Sequence, residues 1–142
     1  MLRRLRRQVA ARKPRPAGAS AVADERELLR LARLSFVQVQ AAWDRADLQA
    51  LGSVASAPLL HDLQQQLAQR GTHHHHTEVL QLQARLLAQE ELHDARLVSV
   101  EFSGLIREQQ DQAAAPFREL WFLTKLKAAG RGWQLARVQS LA

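Results

Sequence analysis

A chain of 142 residues fits one domain with a core of its own. It has no cysteine, which excludes disulfides, thiolate metal sites and cysteine nucleophiles. It has no tyrosine either, which removes a common acid or oxyanion donor. The net charge of +6 is unevenly held: Arg3, Arg4, Arg6, Arg7, Arg12, Lys13 and Arg15 are all in residues 1–23, where no acidic residue occurs. The other 13 basic residues face all 14 acidic ones, a balance of −1 from Asp24 onward. The pattern is a near-neutral domain, residues 24–142, behind a basic arm and flexible linker, residues 1–23.

Met1 to Arg12 place Leu2, Leu5 and Val9 along one side of a short basic helix, too short to hold in water alone. An anionic membrane would fold it, each basic residue contributing about 1 kcal/mol near the lipid. Otherwise it is a solvated tail. Arginine-rich and acid-free, it is also similar to a mitochondrial presequence. Nucleic acid is a lesser alternative, because phosphate attraction is unspecific. Lys13 to Ala23, with Pro14, Pro16 and Gly18, reads as a linker. No stretch reaches the ~20 apolar residues of a membrane span.

Asp24 with Glu27 suggests a capping box. Leu29, Ala32, Phe36, Val39, Trp43 and Ala46 then recur at spacings of three and four, one apolar stripe of a long helix. Arg30, Arg33, Gln38, Gln40 and Arg45 lie mostly off it. Asp47 can cap a second helix, Leu48 to Val54. Pro58 suits the first turn of a third, with Leu60, Leu63 and Leu67 buried, glutamines 64, 65, 66 and 69 in water, and Gly71 as the stop. His73 to His76 follow as a solvent loop, since adjacent histidines without interleaved ligands do not make a metal site. No cofactor is expected.

Four strand patterns complete the chain. Leu80, Leu82, Ala84 and Leu86 alternate with polar residues, and Glu90 to Asp94 make a turn. Val98, Val100, Phe102, Gly104 and Ile106 share one face of the next strand, where Gly104 marks a bulge or close approach. Phe117 to Leu126 and Trp133 to Leu141 follow, the latter after a turn at Gly130-Arg131-Gly132. Helices followed by antiparallel strands predict an α+β fold with the helices on one side of a curved sheet. Glu119, between Phe117 and Trp121, is costly to bury unpaired. Trp133, Leu135, Arg137 and Gln139 alternate together, which nominates Arg137 or Gln139 as its partner, a structural contact (an ion pair with Arg137) being preferred to a ligand contact. Asp44, Asp47, Asp62, His61 and His93 are explained by helices and turns, and no catalytic motif occurs.

Five segments carry a family resemblance: FVQVQAAWDRADLQAL from Phe36, TEVLQL from Thr77, VEFSGLIRE from Val100, PFRELWFL from Pro116 and GWQLARVQ from Gly132. Together they resemble the Tim44-like domain, most closely its bacterial branch. The resemblance implies a nuclear-transport-factor-two-like cone with an apolar pocket. Phe36, Trp43, Val100, Phe102, Glu119, Trp121, Leu123 and Arg137 would line it. It implies a non-catalytic adaptor on the bacterial cytoplasmic membrane, or on the matrix face of the mitochondrial inner membrane, binding lipid, peptide or a partner protein. With only a basic arm before the domain, attachment would be peripheral. Phe122 and Arg137 depart from the family's frequent His and Gly. The competing readings are a ribosome- or RNA-associated module and a small-molecule enzyme with the same cone.

Overall fold

The computed structural model describes residues 19–71, 76–108, 112–128 and 132–141, with side chains from Asp24 onward. The seven basic residues of the arm and His73 to His75 lie outside the described residues.

Helix α1 (Ala19–Asp44) begins before Asp24. The alanine-rich run Ala19 to Ala23 favours helix once Gly18 is passed, so the linker gives up its last five positions. Asp24 therefore lies inside the helix and is not its cap, and Glu27 accepts from Arg30 at 2.7 Å instead. Leu28, Ala32, Phe36, Val39, Ala42 and Trp43 are buried along one side, as the spacing requires. The helix ends at Asp44; Ala46, expected on the stripe, is exposed beyond it, where its φ of 55° turns the chain. Asp47 Oδ1 then accepts the Ala50 N–H at 3.0 Å and caps α2 (Leu48–Val54). Helix α3 (Ala57–Arg70) has Pro58 in its first turn and Gly71, φ 69°, after its last. Its buried line is Leu59, Leu63 and Leu67; Leu60 and Gln66 are half-buried.

Strands β1 (Glu78–Glu91), β2 (Ala95–Arg107), β3 (Ala115–Leu126) and β4 (Gln134–Ser140) form one antiparallel sheet in that order. The α+β class expected from the sequence is the observed one. The end of α1 is tied to the start of β1 by Asp44, whose carboxylate accepts the Thr77 N–H at 2.6 Å and its hydroxyl at 3.0 Å. Arg70 donates to the carbonyls of Trp43 (2.7 Å) and Asp44 (3.3 Å), closing α3 onto the same point.

Three irregularities interrupt the alternation. β1 shifts register between Val79 and Gln81 and again between Leu86 and Ala88; β4 shifts opposite Phe122 and Leu123. The first turns Leu80 out, 42% exposed, and Val79 takes the inward place beside Leu82, Ala84 and Leu86. It also brings the β1 backbone onto Gly104, which has φ 152° and where any Cβ would overlap the Gln81 carbonyl. The core lies between α1 and the sheet. The Phe36 ring meets Phe102 at 4.8 Å, Trp121 at 5.0 Å and Phe117 at 5.5 Å, and Phe102 meets Trp121 edge-on at 5.1 Å.

Candidate functional site

Seven of the eight residues expected around a pocket come together on the helix-facing side of the sheet: Phe36, Trp43, Val100, Phe102, Glu119, Trp121 and Leu123. Phe36, Val100, Phe102 and Trp121 have no exposed surface. They fill one another's space as core and do not wall an open chamber. Gln40, expected mostly off the apolar stripe, is also buried, because a spacing of four from Phe36 puts it on the inner line. Among the described residues neither atom of its amide has a hydrogen-bond partner, nor does the Trp43 indole N–H.

Arg137 is the eighth residue, and its expected place is corrected. Strict alternation in β4 would set it beside Glu119. The β4 bulge inserts Ala136 as an extra residue, so Leu135 pairs with Leu123, Arg137 with Phe122 and Val138 with Trp121. Val138 thus points inward. Arg137 lies on the opposite face with its guanidinium 5.2 Å from the Phe122 ring centre. Gln139, opposite Leu120, is on that outer face too.

Glu119 is only 3% exposed, at the covered face as expected, and its hydrogen-bond partner among the described residues is Trp121, not Arg137. The Trp121 indole N–H donates to Oε1 at 3.0 Å. Desolvation pushes its carboxyl up to about 7; the indole bond opposes this, and the Glu108 carboxylate adds to it. The site can hold a carboxyl that changes charge near neutral pH inside an aromatic core. Among the described residues no cluster of three or more His, Asp or Glu side chains could hold a metal ion.

The sheet face turned away from the described helices has a different chemistry. Glu101 accepts from Arg85 at 3.1 Å and from Arg118 at 2.8 Å, a three-member charge row across β1, β2 and β3. Beyond it, a cavity of about 140 Å³ is lined by Ala88, Leu97, Ser99, Phe122, Thr124 and Ala136. Sequence reasoning missed this cavity. Its signal, two alanines on different strands, acquires meaning only once the bulges set the register. On the solvent side of α1, Leu34 (47% exposed) and Val37 (51%) stand one turn apart near exposed Arg30 and Arg33. No described helix is long and apolar enough to cross a membrane.

Helices on one side of an antiparallel sheet, a packed aromatic core and an opposite face carrying charge and a small cavity define an α+β domain. The profile of the Tim44-like domain matches residues 23–140, and the chain belongs to that family, one of translocation-associated, membrane-associated adaptors. Among solved structures, it is similar to a ketosteroid isomerase-like protein from Erwinia carotovora atroseptica. That match has 13% identity over 80% of this chain and 96% of the other, with a TM-score of 0.46. No curated protein matches the chain.

Proposed function

We propose that this chain is a peripheral membrane adaptor that holds a partner and transforms no substrate. The observation that carries the reading is the family match over nearly the whole domain, residues 23–140. The seven basic residues before Asp24 supply attraction to an anionic surface, and the exposed pair Leu34 and Val37 offers apolar contact beside it. The compartment this fits is the bacterial cytoplasmic membrane; the matrix face of the mitochondrial inner membrane has the same anionic character.

Flotation of the full chain with vesicles, with and without anionic lipid, tests the proposal. Binding should require the anionic lipid and weaken with salt. Replacing the seven arm residues by Gln in the full chain should remove it, each contributing about 1 kcal/mol, or roughly fivefold. Equal binding by the replaced chain would take the arm out of the account. Preferential capture of RNA from a mixture with anionic vesicles would favour the ribosomal reading instead.

A further inference from the structure

We infer that α1 is a proton-operated lever: loss of the Glu119 proton lifts the Phe36 segment of the helix off the sheet, turning about the C-terminal end of α1. The lever goes beyond the adaptor reading and needs neither the arm nor a partner.

Phe36 is the roof of Glu119. On the inner face Glu119 has Phe117 and Trp121 two residues to either side along β3, and Phe102 opposite it on β2. The Phe36 ring lies 4.8 Å from Phe102, 5.0 Å from Trp121 and 5.5 Å from Phe117, so it stands over the three rings that surround the carboxyl. Ser140 is opposite on β4. Among the described residues none of these neighbours is a cation, and the titratable group whose field reaches Glu119 is Glu108, an anion. Arg118, next in sequence, is on the other face and donates to Glu101; Arg137 is on that face too. An ionised Glu119 in the closed form has the Trp121 indole N–H as its donor. Water has to supply the rest, and Phe36 covers the carboxyl on the helix side.

The helix is free to move there. Among the described residues, the hydrogen bonds that tie α1 to other elements gather at its C-terminal end: Asp44 accepts from Thr77, and Arg70 donates to the carbonyls of Trp43 and Asp44. Ala46, with φ 55°, follows as the turn. Phe36 is eight residues back from Asp44, about 12 Å along the helix, and is held by apolar contact. Gln40 lies between Phe36 and the pivot, buried with neither amide atom partnered among the described residues. Lifting the segment lets that amide meet water as well.

The direction follows from burial. The closed form keeps the proton to about pH 7, whereas a carboxyl opened to water has the ordinary value of 4.5. Below about 4.5 both forms are protonated and the lever stays down. Between the two values only the opened form is ionised, so its share rises up to tenfold per pH unit; above about 7 it levels off.

The test uses the full chain carrying fluorinated phenylalanine and carboxyl-labelled glutamate, observed by NMR across about pH 4.5 to 8.5. The Glu119 carboxyl should titrate near 7, and the Phe36 resonance should move with the same midpoint while the β2 and β3 amides stay protected from exchange. In Glu119→Gln the Phe36 resonance should not respond to pH. Phe36→Ala, which removes the roof, should lower the Glu119 midpoint by more than about one pH unit. If that variant unfolds, Phe36→Leu should lower it by a smaller step in the same direction. A Phe36 resonance unmoved while Glu119 titrates, a response that persists in Glu119→Gln, or a Glu119 midpoint unchanged by the roof variants would overturn the inference. So would loss of β2 and β3 protection together with the Phe36 signal, which would make the event unfolding of the whole domain.

Discussion

The stability of the domain should fall as pH rises from about 4.5 to about 7, and Glu119 sets the size of the fall. In the unfolded chain its carboxyl has the ordinary value of 4.5; in the folded chain burial pushes it to about 7. Between these values the folded state holds a proton that the unfolded state has released. Stability is therefore full below about pH 4.5, declines through the window and is flat above about 7 for this group. At 1.36 kcal/mol per pH unit the total is about 3 kcal/mol, a large part of what holds a small domain together. Urea unfolding at intervals between pH 4.5 and 8.5, in the wild type and in Glu119→Gln, reads this term directly. Gln keeps an oxygen for the Trp121 indole N–H and carries no charge, so it should lack the Glu119 contribution to the slope. At pH 8 it should be the more stable protein by about 1–3 kcal/mol, the upper end being the full ionisation cost. Histidines titrate in the same window, but both proteins contain them, so the difference isolates the carboxyl. Parallel stability–pH curves for the two proteins would refute the reasoning.

Two further outcomes follow from the strand geometry. Gly104→Ala should destabilise the domain by roughly 2–4 kcal/mol, because its Cβ would run into the Gln81 carbonyl at a positive φ; the urea midpoint measures it, and a loss under about 0.5 kcal/mol would show that β1 moves aside freely. Deleting Ala136 should leave Arg137 opposite Phe122 and Val138 opposite Trp121, since only the inserted residue goes. The chain should fold with a loss of no more than roughly 2 kcal/mol, in the range of an ordinary point mutation. A deletion that unfolds the chain would show that the bulge itself holds the sheet.

The elements were legible in the sequence because each carries a local signal. The stripe from Ala32 to Trp43, Asp47 at its cap, Pro58 in a first turn and Gly71 after a last one are all decided within a turn or two of chain. Gly104 was legible as a place of close approach, though not what approaches it. The start of α1 was misread for a related reason: Asp24 and Glu27 have the spacing of a capping box, but three of the five residues before them are alanines, the best helix former, with no Gly or Pro among them to stop the helix from extending back to Ala19. Gln40 was misjudged by composition, since its spacing from Phe36 already placed it inside.

The candidate sites were less legible because alternation is a rule with a phase, and one extra residue resets it. In β4 the competition can be sized. An unbroken strand would turn the Arg137 guanidinium toward Trp121 and Glu119 and put Val138 in water. Burying an ion without full hydrogen bonding costs several kcal/mol, and a pairing with Glu119 would first need that carboxyl ionised, against a proton affinity raised by its surroundings. Exposing Val138 forfeits about 1.5–3 kcal/mol more. A bulge leaves one residue out of the ladder, at about 1–3 kcal/mol if its groups go unpaired. The bulge is the cheaper solution, and the side chain at its apex is an alanine, which removes any clash on the outer face. The same insertion that keeps the charge out of the core thus sets Arg137 beside Phe122 and opens the hollow between β1 and β4. The shape of this outer face follows from the way the core excludes one arginine.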